Sequence, residues 1–198
     1  MEYLVTMTTH VPDGTPSQEV SEVRAREGAR SRELAAQGHL LRLFRPPVAP
    51  GEWRTLGLFA AVDADRLEEV LASMPLRVWR TDDVTPLSPH ANDPGLPTGP
   101  GQAMEFLTTF TIMVPAGTPG QAVRDTEARE AERARDLARQ GHLERLWMLG
   151  PDRALGLWRA ASTGEMQAIL KSLPMDPWMI VDTTPLAEHP SDPAVAGV

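Results

Sequence analysis

Residues 2–44 and 105–147 of this 198-residue chain align without a gap, and 24 of the 43 positions are identical. Chance would match only a few residues over that length, so the chain is an internal duplication. Four residues then drop out of the second copy, and the correspondence resumes at an offset of 99. Leu56-Gly57-Leu58 answers to Leu155-Gly156-Leu157, His90 to His189, and Asp93-Pro94 to Asp192-Pro193. The repeat sets the expected organisation: copy one over residues 1–90, a Pro- and Gly-rich linker over 91–103, and copy two over 104–198. Positions held in both copies are candidates for fold or shared chemistry, and those that differ mark where the copies part roles.

Each copy opens with period-two alternation of aromatic and β-branched residues, Tyr3, Val5, Met7 and Val11 against Phe106, Thr108, Phe110 and Ile112, which predicts a strand. Thr15-Pro16-Ser17-Gln18 and Thr118-Pro119-Gly120-Gln121 then read as capping boxes with Thr at the N-cap. The helix that follows is expected to run to about Gln37 and stop at Gly38, repeated at Gly141. Two apolar stretches, 39–45 and 55–62, form a hairpin; Leu67, Val70, Leu71 and Met74 recur at helical spacing; a last strand is expected over about 78–84. The order β-α-β-β-α-β predicts an α+β chain of two ferredoxin-like (βαββαβ) domains. A copy this small buries a modest core, so the two are expected to pack sheet to sheet as an intramolecular dimeric α+β barrel.

Net charge is −8, and no basic run is interleaved with aromatics, which argues against nucleic acid or an anionic membrane as partner. Cysteine is absent, so disulfides, thiolate ligands and a Cys nucleophile are excluded. The chain starts on a strand pattern, and no run approaches the roughly 18 apolar residues of a membrane helix. The expectation is a soluble, cytoplasmic protein with a small-molecule partner; a homo-oligomer of the two-domain chain stays open.

The first helix holds the most specific chemical clue. At 100° per residue its core-facing stripe is Val20, Val23, Glu27, Ser31 and Leu34 in copy one, and Val123, Thr126, Glu130, Ala134 and Leu137 in copy two. A carboxylate in the middle of an apolar stripe is unfavourable by several kcal/mol unless paired or protonated. Glu27 and Glu130 are therefore candidate general bases with pKa values raised by desolvation. A structural ion pair with Arg24, Arg30 or a strand arginine accounts for the same pattern. Arg24 lies on the edge of that face, and Arg30 and Arg133 flank it on the other side, which makes all three candidate substrate-binding residues. His39 and His142 follow the helix-stopping Gly; they bond a backbone carbonyl or serve as ligand contacts. His90 and His189 lie in Pro-rich tails and read as surface or tail-anchoring residues. Single histidines without companions argue against a metal, and neither a phosphate-cradling Gly-rich loop nor a Ser nucleophile elbow is present.

The chain resembles the muconolactone Δ-isomerase family over both halves. The resemblance is carried by the opening strand ending in Val-Pro, Arg24-Ala25-Arg26-Glu27, Gln37-Gly38-His39 and Leu43-Phe44-Arg45. Copy two adds Arg145-Leu146-Trp147, Leu173-Pro174-Met175-Asp176-Pro177-Trp178 and His189-Pro190-Ser191. It implies a ferredoxin-like fold, oligomers built by sheet packing, and a cofactor-free shift of a ring double bond in an unsaturated lactone. The helix Glu matches the family's acidic position, Arg24 takes the place of a Lys, and Arg45 matches an Arg after the Leu-aromatic pair. On this resemblance Glu27 is the base, Arg24 and Arg45 hold the anion, and Glu130 is a second base or a relic. The departures are specific. The family carries one such domain per chain, and copy two replaces Arg24 with Glu127 and Arg45 with Met148. A related cyclase or cofactor-free oxygenase, and a non-catalytic scaffold, are the other readings.

Overall fold

Alternation along the first strand separates two faces: Tyr3, Val5, Met7 and Thr9 of β1 (Glu2–Thr9) are buried, and the residues between them are partly exposed. The computed structural model describes residues 1–95 and 103–195; most of the expected linker, residues 96–102, lies outside them. After β1 come α1 (Ser17–Ala36), β2 (Leu40–Arg45), β3 (Arg54–Ala60), α2 (Ala64–Ala72) and β4 (Arg80–Pro89). The second copy repeats the order as β5 (Met104–Ile112), α3 (Gly120–Arg139), β6 (Leu143–Gly150), β7 (Arg153–Ala160), α4 (Thr163–Lys171) and β8 (Met179–Glu188). The chain is α+β, with a ferredoxin-like arrangement in each repeat, and every strand pairing is antiparallel.

One of the two compact units is discontinuous in sequence. Unit 1 is Met1–Leu87 together with the chain from Ala187 on, and unit 2 is Ser88–Leu186. In unit 1 the strands lie in the order β4-β1-β3-β2, and Ala187 and Glu188 extend the ladder by pairing with Arg45 and Phe44. In unit 2 the order is β8-β5-β7-β6, with Ser88 and Pro89 pairing with Met148 and Trp147.

The core of unit 1 joins Tyr3, Val5 and Met7 to Leu34 of α1, Leu67 and Leu71 of α2, and Leu40, Leu43 and Phe59 of the hairpin. A break in register between Leu40 and Arg42 lets both Leu40 and Leu43 enter that core, which strict alternation would forbid. Unit 2 repeats the packing with Phe106, Phe110, Leu137, Leu143 and Trp158. Gly57 and Gly156 make room for the side chains two residues on: a Cβ at either would overlap the ring of Phe59 or Trp158.

Two local expectations are corrected. The Thr hydroxyls do not cap the helices: Thr15 and Thr118 donate to Pro12 O and Pro115 O, both at 2.7 Å, and Pro16 and Pro119 take the N-cap position. The tight Pro-x-Gly-Thr turn satisfies the hydroxyl before the helix begins. The last strand of copy one starts later and runs longer than expected, because Pro75–Trp79 form a 3-10 segment first. Among the described residues no helix is long and apolar enough to cross a membrane.

Candidate active site

Glu27 stands on the sheet-facing side of α1, among buried Val23, Ser31 and Leu34. A cavity of about 340 Å³ opens beside it, walled by Met7, Thr9 and Thr55 of the sheet and by Met74 and Leu76 beyond α2. That size suits a small ligand. One carboxylate oxygen, Oε2, accepts the Leu76 backbone N–H at 2.8 Å. The other, Oε1, accepts from Arg80 Nη1 at 3.1 Å, while Arg80 Nε pairs with Asp82 at 2.6 Å. Burial raises the Glu27 pKa above the usual carboxylate value; the Leu76 N–H and the Arg80 charge oppose the rise, and Asp82 adds to it. Both properties considered for this residue therefore coexist: it is paired with a strand arginine, and it is a carboxylate of raised basicity on a cavity wall.

Two further guanidiniums reach the same cavity. Arg24, nearly one turn before Glu27, lies over the Trp53 ring at 4.4 Å, and Arg45 enters from the end of β2. Neither forms an ion pair among the described residues. His189, from the tail of copy two, completes the wall. Its Nδ1 accepts the Ser191 N–H at 3.1 Å, so the neutral ring carries its proton on Nε2. Burial, with Arg45 and Arg24 acting in the same direction and Asp192 against, lowers its pKa to about 4. The tail is held by Asp192, which accepts from Arg42 Nη2 at 3.0 Å and Nε at 3.1 Å and from the Leu43 N–H at 3.0 Å.

Unit 2 keeps the frame and changes the lining. Glu130 Oε2 accepts the Met175 N–H at 2.9 Å, and burial raises its pKa; that hydrogen bond opposes the rise and Asp176 adds to it. No cation pairs with it among the described residues. A cavity of about 360 Å³ lies alongside, walled by Phe110, Ile112, Ala134, Ala154, Trp158 and Met179. His90 borders it with the geometry of His189: its Nδ1 accepts the Asn92 N–H at 3.0 Å, and burial, opposed by Asp93, lowers its pKa. Asp93 repeats the tail anchor on Arg145 and the Leu146 N–H.

The structure thus gathers Glu27, Arg24 and Arg45 at one cavity and Glu130 at the other. It places the remaining predicted contacts elsewhere. Arg30 bonds Ser73 at 2.9 Å and Glu33 at 2.8 Å, and Arg133 bonds Ser172 at 2.8 Å, so both tie the first helix of a repeat to the end of its second. His39 and His142 put Nδ1 against Ala60 O and Arg159 O, at 3.1 and 2.9 Å. None of these four lines either of the two cavities described above. Sequence reasoning passed over Arg80 and Trp53 and read His189 and His90 as tail residues. Arg80 carried a faint signal, a lone Arg after the repeated Trp that becomes Met179 in copy two. The histidines carried a stronger one, since each recurs three residues before an Asp-Pro pair.

The family described as Muconolactone delta-isomerase matches residues 1–93 and again 104–192. Among curated relatives, Muconolactone Delta-isomerase of Cupriavidus pinatubonensis (strain JMP 134 / LMG 1197) is 31% identical over 90 residues, covering 46% of this chain and 95% of that protein. The Rhodococcus opacus enzyme of the same name is 26% identical over 88 residues, covering 44% and 95%. Among solved structures, a heme-binding protein from Thermus thermophilus superposes with a TM-score of 0.59 at 11% identity, over 95% of this chain and 92% of that one. Chlorite dismutase from Candidatus Nitrospira defluvii gives 0.59 at 9% identity, over 94% and 91%. At such identities the two structures speak for the fold alone. The family's two matches, one on each repeat, show that this chain belongs to the muconolactone delta-isomerase family, as a tandem duplication of its domain.

Proposed function

We propose that the unit 1 cavity moves a double bond in a small unsaturated lactone that carries a carboxylate. The observation that carries this reading is one cavity lined by a half-buried carboxylate of raised pKa and by two guanidiniums, Arg24 and Arg45, that form no ion pair among the described residues. Arg24 and Arg45 bind the substrate carboxylate and orient the ring. Glu27 removes the ring proton made acidic by the ring oxygen and the conjugated carbonyl. The electron pair moves to the carbonyl oxygen, giving a dienolate, and protonated Glu27, whose acid proton exchanges with solvent, delivers a proton two carbons away. No other reactant enters. His189, neutral and with its proton on Nε2, donates to the developing oxyanion. A scaffold needs no cavity beside the Glu–Arg pair, so the open volume at Glu27 favours a ligand.

The test follows deuterium from solvent into muconolactone by NMR, with wild type, Glu27→Gln and Glu130→Gln. Glu27→Gln is expected to lower isomerisation and exchange by roughly 10²–10⁴-fold, the range for losing a general base, with an unchanged circular dichroism spectrum. Glu130→Gln is expected to leave both intact. Wild-type exchange in a folded Glu27→Gln protein overturns the assignment.

A further inference from the structure

The two cavities have diverged in one direction. Thr9, Ser31 and Thr55 of the first wall correspond to Ile112, Ala134 and Ala154 of the second. The guanidiniums follow: Arg24, Arg45 and Arg80 correspond to Glu127, Met148 and Met179. The charged side chains left around the second cavity are the carboxylates Glu127 and Glu130, with His90 held toward its neutral form. Such a lining repels the anion that unit 1 attracts. Yet the apolar replacements do not fill the space, which remains about 360 Å³, and Glu130 stays on its wall.

One new donor appears there. Where unit 1 has Phe59, unit 2 has Trp158, fully buried, and its indole Nε1–H meets no acceptor among the described residues. The indole nitrogen overlies Gly156, in space that any side chain at that position would occupy, and Ala154 of the cavity wall lies on the same sheet face, two residues back. A buried N–H without a partner is unfavourable, and a ligand oxygen would satisfy it.

From this lining and this unpaired donor we infer that unit 2 holds a second ligand site, for an uncharged, apolar, carbonyl-bearing ring such as a neutral unsaturated lactone. Trp158 donates to the carbonyl and Glu130 moves the proton. Glu130 takes a proton from the carbon beside the carbonyl, the pair passes to the carbonyl oxygen as a dienolate, and the proton returns at the far end of the original double bond. One C–H bond breaks and one forms, and the double bond shifts into conjugation. The residues of the site belong to unit 2 alone, while the choice of a lactone rests on the function proposed for unit 1.

The probe is α-angelica lactone, a methyl-substituted butenolide without a carboxylate. In the nitrogen-15-labelled full chain the five tryptophans give indole cross-peaks, and Trp158→Phe identifies the one at position 158. The lactone is expected to shift that peak saturably, in wild type and in Glu27→Gln alike, whereas muconolactone at the same concentration leaves it in place. Isomerisation above the buffer rate is expected to persist in Glu27→Gln and to fall by roughly 10²-fold or more in Glu130→Gln. Met179→Arg, which restores a unit 1 guanidinium, is expected to let muconolactone move the Trp158 peak, and the isomerisation rates of Glu27→Gln and Glu130→Gln keep the test usable should Trp158→Phe fold poorly. The inference is overturned by an unmoved peak with α-angelica lactone, by an equal shift with muconolactone in wild type, or by isomerisation that follows Glu27 instead of Glu130.

Discussion

Glu27 and Glu130 occupy the same helix position and accept the same kind of backbone amide, yet only Glu27 has a guanidinium on its second oxygen among the described residues. The amide bond explains why a carboxylate suits this place in both repeats: it fixes the start of the segment leading into the last strand. Arg80 adds a tuning element in unit 1 alone. Burial lifts the Glu27 pKa and Arg80 restrains that lift, so the acid limb of the pH–rate profile is expected above the ordinary carboxylate range. The sign for a variant follows directly. Arg80→Met removes the restraining charge and leaves Asp82, which pushes the same way as burial, so the limb moves to higher pH. Activity is then lost first on the acid side and recovers as pH rises through the new midpoint. Arg80→Lys, which keeps the charge, is expected to hold the limb near its wild-type position. A uniform drop with an unmoved limb would mean that Arg80 only supports the fold. The check is kcat/KM against pH for the three proteins.

At the scale of elements, the two tails do what no single strand or helix does: each carries a histidine to a cavity wall and pins it with an aspartate. Asp192 and Arg42 are both 2% exposed, so truncating the aspartate breaks a buried ion pair. Losses of that kind run to about 3–5 kcal/mol. Asp192→Ala is therefore expected to destabilise the protein by about that amount in urea unfolding. Asp93→Ala is expected to cost clearly less, because Asp93 and Arg145 are each 16% exposed and water can replace the lost partner. Equal effects would show that exposure does not set the difference. These anchors also mark the limit of what the sequence displayed. Strand alternation at Tyr3-Val5-Met7 and the helical stripe through Glu27 are local periodicities, and both appear in the structure as read. The Asp192–Arg42 pair spans 150 residues, and no local pattern encodes it. Its trace is the joint repetition of Arg42 as Arg145 and of Asp93 as Asp192. Thr15 failed for the opposite reason: it stands one residue ahead of the N-cap at Pro16, and its hydroxyl donates back to Pro12 O where a cap would accept a helix amide.

Over the whole molecule, duplication supplies two cavities of similar size with opposite electrostatic character. A ligand with a carboxylate meets Arg24 and Arg45 in one and Glu127 in the other, so binding should count units. Calorimetric titration of the full chain with muconolactone is expected to give about one site per chain, since the lining of unit 2 offers the anion no cation. Arg24→Glu together with Arg45→Met writes the unit 2 residues into unit 1. Each charged hydrogen bond lost is worth about 1.5–3 kcal/mol, so the double variant is expected to weaken that site by roughly 100-fold or more. The fold gives no reason for collapse, because α3 and β6 already carry Glu and Met at the equivalent positions in unit 2. Two equal sites in wild type, or a double variant that binds as tightly as wild type, would show that the ligand is held by groups common to both repeats. The divergence of the linings would then have no bearing on which ring each unit takes.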